Sequence, residues 1–320
     1  MLWASSTRCL RELRCAVVTA RPTAKPFIKW AGGKGRLLEQ IAPLVPAEVH
    51  TWVEPFLGGG ASLFGLGVHR AKSVIAGDVN TALINAFRCV RDDVEGVMLA
   101  LDDLQRLGPY RDQYYRERSA FNSWLISVEG ARSGWPCLNA AAQFIYLNKT
   151  GYNGLWRVNK LGELNVACGD YKEPRIYDSA ELIAASKALR HVSLCLNSAS
   201  SLLGTAAAGN KFYFLDPPYT PTSATAGFTG YSVGGFTHAH HLELRDACRR
   251  IDKDGGKFLL CQADTPLTRE LYYEWDVRTV SVQRSISMKA STRGATTELV
   301  VRNYTTSEDP QATDPKEPTT

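Results

Sequence analysis

At 320 residues the chain has the length for one large domain or two small ones with an ample core. Its 44% hydrophobic and 22% charged residues are ordinary for a soluble globular protein, and no apolar run approaches the ~20 residues of a membrane span, so no membrane-spanning helix is expected. The net charge of +5 permits a polyanionic partner without demanding one.

The eight cysteines are scattered and form no Cys-x-x-Cys, so neither a zinc ribbon nor a disulfide framework fits. Reduced thiols in a cytoplasmic setting, bacterial or phage-encoded, are expected, with a monomer in solution. Residues 1–25 carry Arg8, Arg11, Arg14, Arg21 and Lys25 against one acid, Glu12. An amphipathic transit peptide is compatible with that composition; a mis-assigned start or a disordered basic arm is favoured.

"TWVEPF" (51–56) is a short apolar run ending in glycines, a buried strand, and "ASLFGLGVHR" after it is helical. "SVIAGDV" (73–79) is a second strand ending in an acid, and residues 80–104 carry apolar residues at helical spacing. Strand, glycine turn, helix, strand, acid and helix open a doubly wound α/β fold. Residues 110–150 look helical and polar, and "GYNGLWRVNKLGELNV" (151–166) alternates around "NKLGE", as a β-hairpin or an irregular loop would. The α/β rhythm then resumes with strands in "HVSLCL", "KFYFLD", "GKFLLCQA", "DVRTVSVQRSI" and "TTELVVRNY". The expected organisation is a catalytic α/β domain of residues 26–85 and 176–304, a helical insert of residues 86–175 holding the hairpin, and a disordered tail of residues 305–320 rich in Pro, Thr and acids.

Gly58, Gly59 and Gly60 lie after a strand and before a helix, where the backbone approaches a ligand closely and the helix N-terminus favours negative charge. Position 63 is Leu, so this is not the dinucleotide fingerprint; Asp78, at the end of the next strand, sits where a carboxylate accepts ribose hydroxyls. A tight turn and a helix-capping Asp are the plain alternative. "KWAGGKGR" (29–36) is not a P-loop, because Lys34 is followed by Gly rather than Ser or Thr. "KFYFLDPPYT" (211–220) ends a buried strand on Asp216, two rigid prolines and Tyr219.

"FIKWAGGKGRLLEQI", "VEPFLGGGAS", "GDVN", "YLNKTGYNGLWRVNKLGELNVACGDYK", "LDPPYTPTSATAGFTGY", "ADTPLTRELY" and "RSISMKASTRGATTELVV" follow one another along the chain. In that order they closely resemble the Dam-type adenine-specific DNA methyltransferases with a DPPY motif, over about residues 26–304. The resemblance implies a Rossmann-like methyltransferase sheet with a helical target-recognition insert, S-adenosylmethionine as methyl donor without a metal, and double-stranded DNA as partner. It implies that Asp216 and the carbonyl of Pro217 accept the two amino hydrogens of an adenine, with Pro218 stiffening the turn and Tyr219 stacking on a base flipped from the duplex. Trp30, Lys34, Glu54, Phe56, Gly58, Gly60, Asp78 and Asp216 would surround the cofactor. The implied target is GATC, read by a hairpin: Arg157 on a guanine, Leu155 on a thymine methyl, Tyr152 wedged into the stack and Asn153 facing the orphaned base. Lys29 would contact the first guanine, while Ala167 departs from the proline frequent in the family, removing one methyl contact. Two rival readings remain: an RNA or protein amino-methyltransferase, and a DNA-binding protein of this fold without activity.

Overall fold

The computed structural model describes residues 24–106, 110–131, 136–204, 209–219, 236–283 and 295–306; the expected basic arm up to residue 23 and most of the tail lie outside them. Among the described residues, seven strands form one sheet: β1 (Val49–Glu54), β2 (Ala71–Asp78), β3 (Val192–Leu196), β4 (Lys211–Leu215), β5 (Lys257–Ala263), β6 (Asp276–Gln283) and β7 (Ala295–Arg302). Their order is β3-β2-β1-β4-β5-β7-β6. The first five pair in parallel, and β7 enters antiparallel between β5 and β6. This is the Rossmann-like methyltransferase architecture that the sequence pattern and the resemblance imply.

Side-chain alternation sorts the strands' residues between two layers. Phe212 and Phe214 of β4, with Leu259 and Cys261 of β5, join the larger apolar cluster, which extends through the helices of residues 81–150. Tyr213 and Leu215, with Phe258 and Leu260, face the smaller cluster on the opposite side, under the late helices. Trp52 of β1 is fully buried and stacks at 5.4 Å on Phe214, fixing the central strands to one another.

The short helices α1 (Leu38–Ile41) and α2 (Val68–Arg70) flank β1; α2 continues a π-helical turn at Leu63–Gly67. Gly67 lies flat against the Trp52 indole, where a Cβ would come within 3.1 Å. The helical pattern of residues 80–104 is two helices, α3 (Thr81–Asp92) and α4 (Val94–Arg106). Asp93 divides them. Its N–H donates to Cys89 O, closing α3, and its Oδ1 accepts from Gly96 N at 2.9 Å, opening α4. One stripe of apolar residues thus spans a break that apolar spacing does not register.

Helices α5 (Tyr110–Ala131) and α6 (Leu138–Thr150) are helical as expected, but α6 is not polar. Ala140, Ala141, Ala142, Phe144, Ile145 and Leu147 are all buried, because α3, α4 and α5 pack around it. The remaining helices among the described residues are α7 (Ser179–Leu189), α8 (Ala199–Leu203), α9 (His238–Lys253) and α10 (Pro266–Tyr272). No described helix is long and apolar enough to cross a membrane, and the six described cysteines are free thiols.

Candidate active site

In an open α/β sheet the ligand crevice forms at the carboxyl ends of strands where the strand order reverses. Here that point lies between β1 and β4, neighbours in the sheet although β2 and β3 intervene in the chain. A cleft of about 730 Å³ opens there. Trp30, Lys34, Phe56, Gly58, Asp78 and Asp216–Tyr219 all line it, so nine of the residues singled out from the sequence meet at one place.

The glycine turn has a reason visible in its neighbours. Gly58 has a φ of +48° and its missing Cβ would lie 2.9 Å from the Trp30 indole; Gly59 would meet Trp30 Cβ at the same distance. Glycine therefore lets the indole lie on the turn while the backbone takes a left-handed bend. The Gly58 N–H donates to Asp78 Oδ2 and the Asn80 N–H to Asp78 Oδ1, both at 3.0 Å. These bonds aim the carboxylate across the cleft floor, and each oxygen keeps a second lone pair for a ligand hydroxyl. Burial pushes this carboxyl above its ordinary range, and the backbone N–H groups oppose that shift.

Two expected residues sit elsewhere. Glu54 is fully buried beneath the turn, accepting from Trp52 Nε1 at 2.9 Å and Ser62 Oγ at 2.5 Å. Desolvation raises its pKa to about 8, and only the two hydrogen bonds temper it. Gly60 turns inward at φ +76°, against Phe64 and Phe87. Both shape the turn from behind and neither faces the cleft.

At the end of β4 a charged cluster closes the cleft. Lys34 Nζ lies 2.7 Å from Asp216 Oδ1, donates to Gly32 O at 3.1 Å, and stands 4.5 Å over the Tyr219 ring. Burial works against the ammonium, but Asp216 and, behind it, Cys261 and Glu298 hold Lys34 above its usual range. The Tyr219 hydroxyl donates to Glu298 Oε2 of β7 at 2.5 Å. Burial, reinforced by Asp216, Cys261 and Glu298, pushes this phenol well above its ordinary value, so it remains a donor.

The sequence reading passed over Glu298 and the far wall of the cleft. Phe236 packs edge-on to Phe56 at 6.1 Å, and His240, Glu243, Asp246 and Arg250 of α9 line the wall. Their spacing, one polar residue per turn beside the buried Leu244, Ala247 and Ile251, is the signal that marks a polar helix face turned to a cavity.

Residues 151–168 form an antiparallel loop pair with only two isolated bridges, Gly151 to Cys168 and Val158 to Leu164. Side chains stitch it to the helices. Tyr114 Oη and Arg118 Nη1 donate to Val166 O, Asn122 exchanges two bonds with Leu164, and Trp156 packs against Phe144 at 5.4 Å. The other side faces solvent. Tyr152 is half exposed, Asn153 takes a φ of +54°, and Leu155 leans on the core. Exposed Arg157 donates from Nε to Asn165 Oδ1 at 2.8 Å and from Nη2 to Asn165 O at 3.2 Å.

Lys29 connects this surface to the cleft. Asn148 of α6 clamps its backbone, accepting from Lys29 N at 2.7 Å and donating to Lys29 O at 2.8 Å and Gly154 O at 3.1 Å. The Lys29 ammonium lies 3.3 Å from Tyr171 Oη, while the next residue, Trp30, lines the cleft.

Comparison with known proteins shows the family to which the chain belongs. A family model described as D12 class N6 adenine-specific DNA methyltransferase matches residues 30–287. The type II methyltransferase M.MjaIII of Methanocaldococcus jannaschii is 35% identical over 298 residues, covering 88% of this chain and 99% of that protein. The DNA adenine methylase of Escherichia coli is 34% identical over 279 residues, with 86% and 94% covered. That of Haemophilus influenzae is 33% identical over 283 residues, with 86% and 92% covered.

Proposed function

The chain belongs to the N6 adenine-specific DNA methyltransferases of the D12 class, and from that premise we propose that it methylates a flipped adenine within GATC, with S-adenosylmethionine as donor. The observation that carries the proposal is the convergence, in one cleft, of the Asp216–Tyr219 turn with the glycine turn and Asp78. The cleft volume lies within the range of small-molecule sites.

The residues fit the cofactor. Asp78 would hold the ribose hydroxyls, Trp30 and the Gly58 turn would pack along the nucleoside, and the acidic end at Asp216 suits a sulfonium. Bound there, S-adenosylmethionine supplies an already electrophilic methyl group, which leaves a metal ion no task.

The chain's own work is on the acceptor. An adenine amino nitrogen is a weak nucleophile because its lone pair is delocalised into the ring. Asp216 Oδ2 and the Pro217 carbonyl would each accept one amino hydrogen, drawing the nitrogen towards tetrahedral geometry and aiming its lone pair. Lys34 already occupies Oδ1 and would fix the carboxylate's orientation. The prolines make the second acceptor rigid, which is pre-organisation. Tyr219 would pack against the base, whose extraction from the duplex takes a few kcal/mol of unstacking.

GATC rests on the resemblance of the 151–168 segment, supported by the placement of its side chains. Tyr152 and Asn153 are exposed at the start of the loop pair, which supports their reading as a wedge and a partner for the orphaned base. Lys29, Leu155 and Arg157 would read the flanking bases. Modified-base sequencing of DNA from a host expressing the chain tests both levels. Methyladenine in GATC is expected; another motif would overturn the specificity alone, and no methyladenine would overturn the function.

A further inference from the structure

We infer that Glu298 is a positioning residue for Tyr219, holding the ring at the angle an incoming adenine meets. The inference rests on the proposal that Tyr219 packs against the target base.

Tyr219 is gripped at two points. The Lys34 ammonium stands over its face at 4.5 Å, and Glu298 Oε2 accepts its hydroxyl at 2.5 Å. The two preceding prolines restrain the backbone, but the ring retains its own side-chain torsions. A bond at the hydroxyl, the atom farthest from the backbone, removes the most of that freedom.

The anchor itself is rigid. Glu298 lies inside the sheet, paired in register with Ala263 of β5 and Val280 of β6. The preceding Thr297 hydroxyl donates to Asp264 Oδ2 at 3.1 Å, and Asp264 is held by Arg269 through Nε at 2.7 Å and Nη2 at 2.8 Å. The segments "ADTPLTRELY" and "TTELVV" carried no role of their own in the sequence. They meet here, one bracing the strand from which the other reaches Tyr219.

The test uses the full chain with Glu298→Ala, Glu298→Gln, Tyr219→Phe and the double variant Tyr219→Phe/Glu298→Ala. Readouts are kcat, KM for duplex DNA, S-adenosylmethionine affinity, melting temperature, and fluorescence of 2-aminopurine at the target position. Glu298→Ala and Tyr219→Phe are each expected to lower kcat roughly tenfold, the scale of a hydrogen bond to a charged group, with the double variant no worse than either. Glu298→Gln keeps an acceptor oxygen and should stay within about threefold of wild type. Glu298→Ala should also alter the 2-aminopurine signal while cofactor affinity and melting temperature hold. Multiplying losses in the double variant, a Gln variant as poor as Ala, or a loss confined to cofactor affinity or melting would overturn the inference. If Glu298→Ala does not fold, Glu298→Leu, which fills the space without an acceptor, takes its place alone and combined with Tyr219→Phe in the same comparison. Tyr219→Ala separates the two levels. Undiminished methylation there would overturn the premise, whereas an inactive Tyr219→Ala beside a normal Glu298→Ala would overturn only the role of Glu298.

Discussion

The cleft between β1 and β4 and the loop pair of residues 151–168 solve opposite problems. In the cleft, each carboxylate is held by a fixed partner away from bulk solvent: Asp216 by Lys34, Glu298 by the Tyr219 hydroxyl, Asp78 by two backbone N–H groups. On the loop pair and beside it, Arg157 and Lys29 are exposed and bonded to neighbours within the chain, Asn165 and Tyr171. The first arrangement suits chemistry, where dipoles must be in place before the substrate arrives. The second suits recognition, where a side chain exchanges a protein partner for a base edge, so that only the difference between the two contacts shows as affinity. Damage to the cleft should therefore appear in rate, and damage to the loop pair in selectivity.

The largest effect is expected at Asp216. Asp216→Ala would remove the acceptor proposed for the amino group and leave the buried Lys34 ammonium without its carboxylate. Loss of one such contact typically lowers the rate ~10²–10³-fold, and the stranded charge adds to it. Single-turnover methylation with saturating cofactor measures it; near-normal turnover would remove the functional contrast between the regions.

A second test asks how far burial governs the support behind the cleft. Glu54 is buried and its pKa is raised from 4.5 to about 8. Below about pH 4.5 the group is protonated both folded and unfolded. As pH rises from there to about 8, the unfolded chain releases the proton while the folded chain keeps it, so stability falls and then levels off. Glu54→Gln can accept from Trp52 and donate to Ser62 without that penalty. It should gain on the order of 2–4 kcal/mol at high pH relative to wild type and flatten the slope. Denaturant midpoints at pH 5 and pH 9 measure this, and parallel wild-type and variant curves would rule out the raised pKa.

Asp78 gives a smaller and more local effect. Asp78→Ala should weaken S-adenosylmethionine binding by ~1–3 kcal/mol, the scale of hydrogen bonds to a charged group. Unchanged affinity by titration calorimetry would return Asp78 to the plain role of fastening Gly58 and Asn80.

Much of this contrast was legible in the sequence, and the exceptions share a cause. Buried strands announce themselves as apolar runs ending in Gly, Asp or Pro, which is why β1, β2, β4 and β5 and the residues at their ends were found. What escaped depends on long-range packing. Asp93 breaks a helix without interrupting the apolar stripe, and α6 is buried because three other helices surround its short alanine run. Glu54 looks like a ligand residue until the fold places Trp52 and Ser62 around it, and Glu298 reaches Tyr219 only because β7 inserts beside β5. Local pattern locates an acid; the sheet decides what it faces.

The smallest effect, and the one that most sharpens the comparison, lies at Arg157. Its bonds to Asn165 employ Nε and Nη2, and among the described residues Nη1 has no hydrogen bond. Asn165 thus holds the guanidinium by one edge. The end formed by Nη1 and Nη2 is the fork that would pair with the two acceptors of a guanine. Arg157→Ala should weaken methylation of the preferred site by ~1–3 kcal/mol and relax selectivity at one base pair, whereas loss of a phosphate contact would weaken all sequences alike. Asn165→Ala removes only the Oδ1 acceptor, since the backbone carbonyl remains. If Asn165 orients the fork, selectivity at that same pair should fall by ~0.5–1.5 kcal/mol, with binding to unrelated DNA unchanged. If Arg157 must instead abandon Asn165 to reach the duplex, the variant would bind the preferred site more tightly. Methylome maps of the wild type and both variants, paired with binding to cognate and unrelated duplexes, distinguish an arginine held ready from one held back.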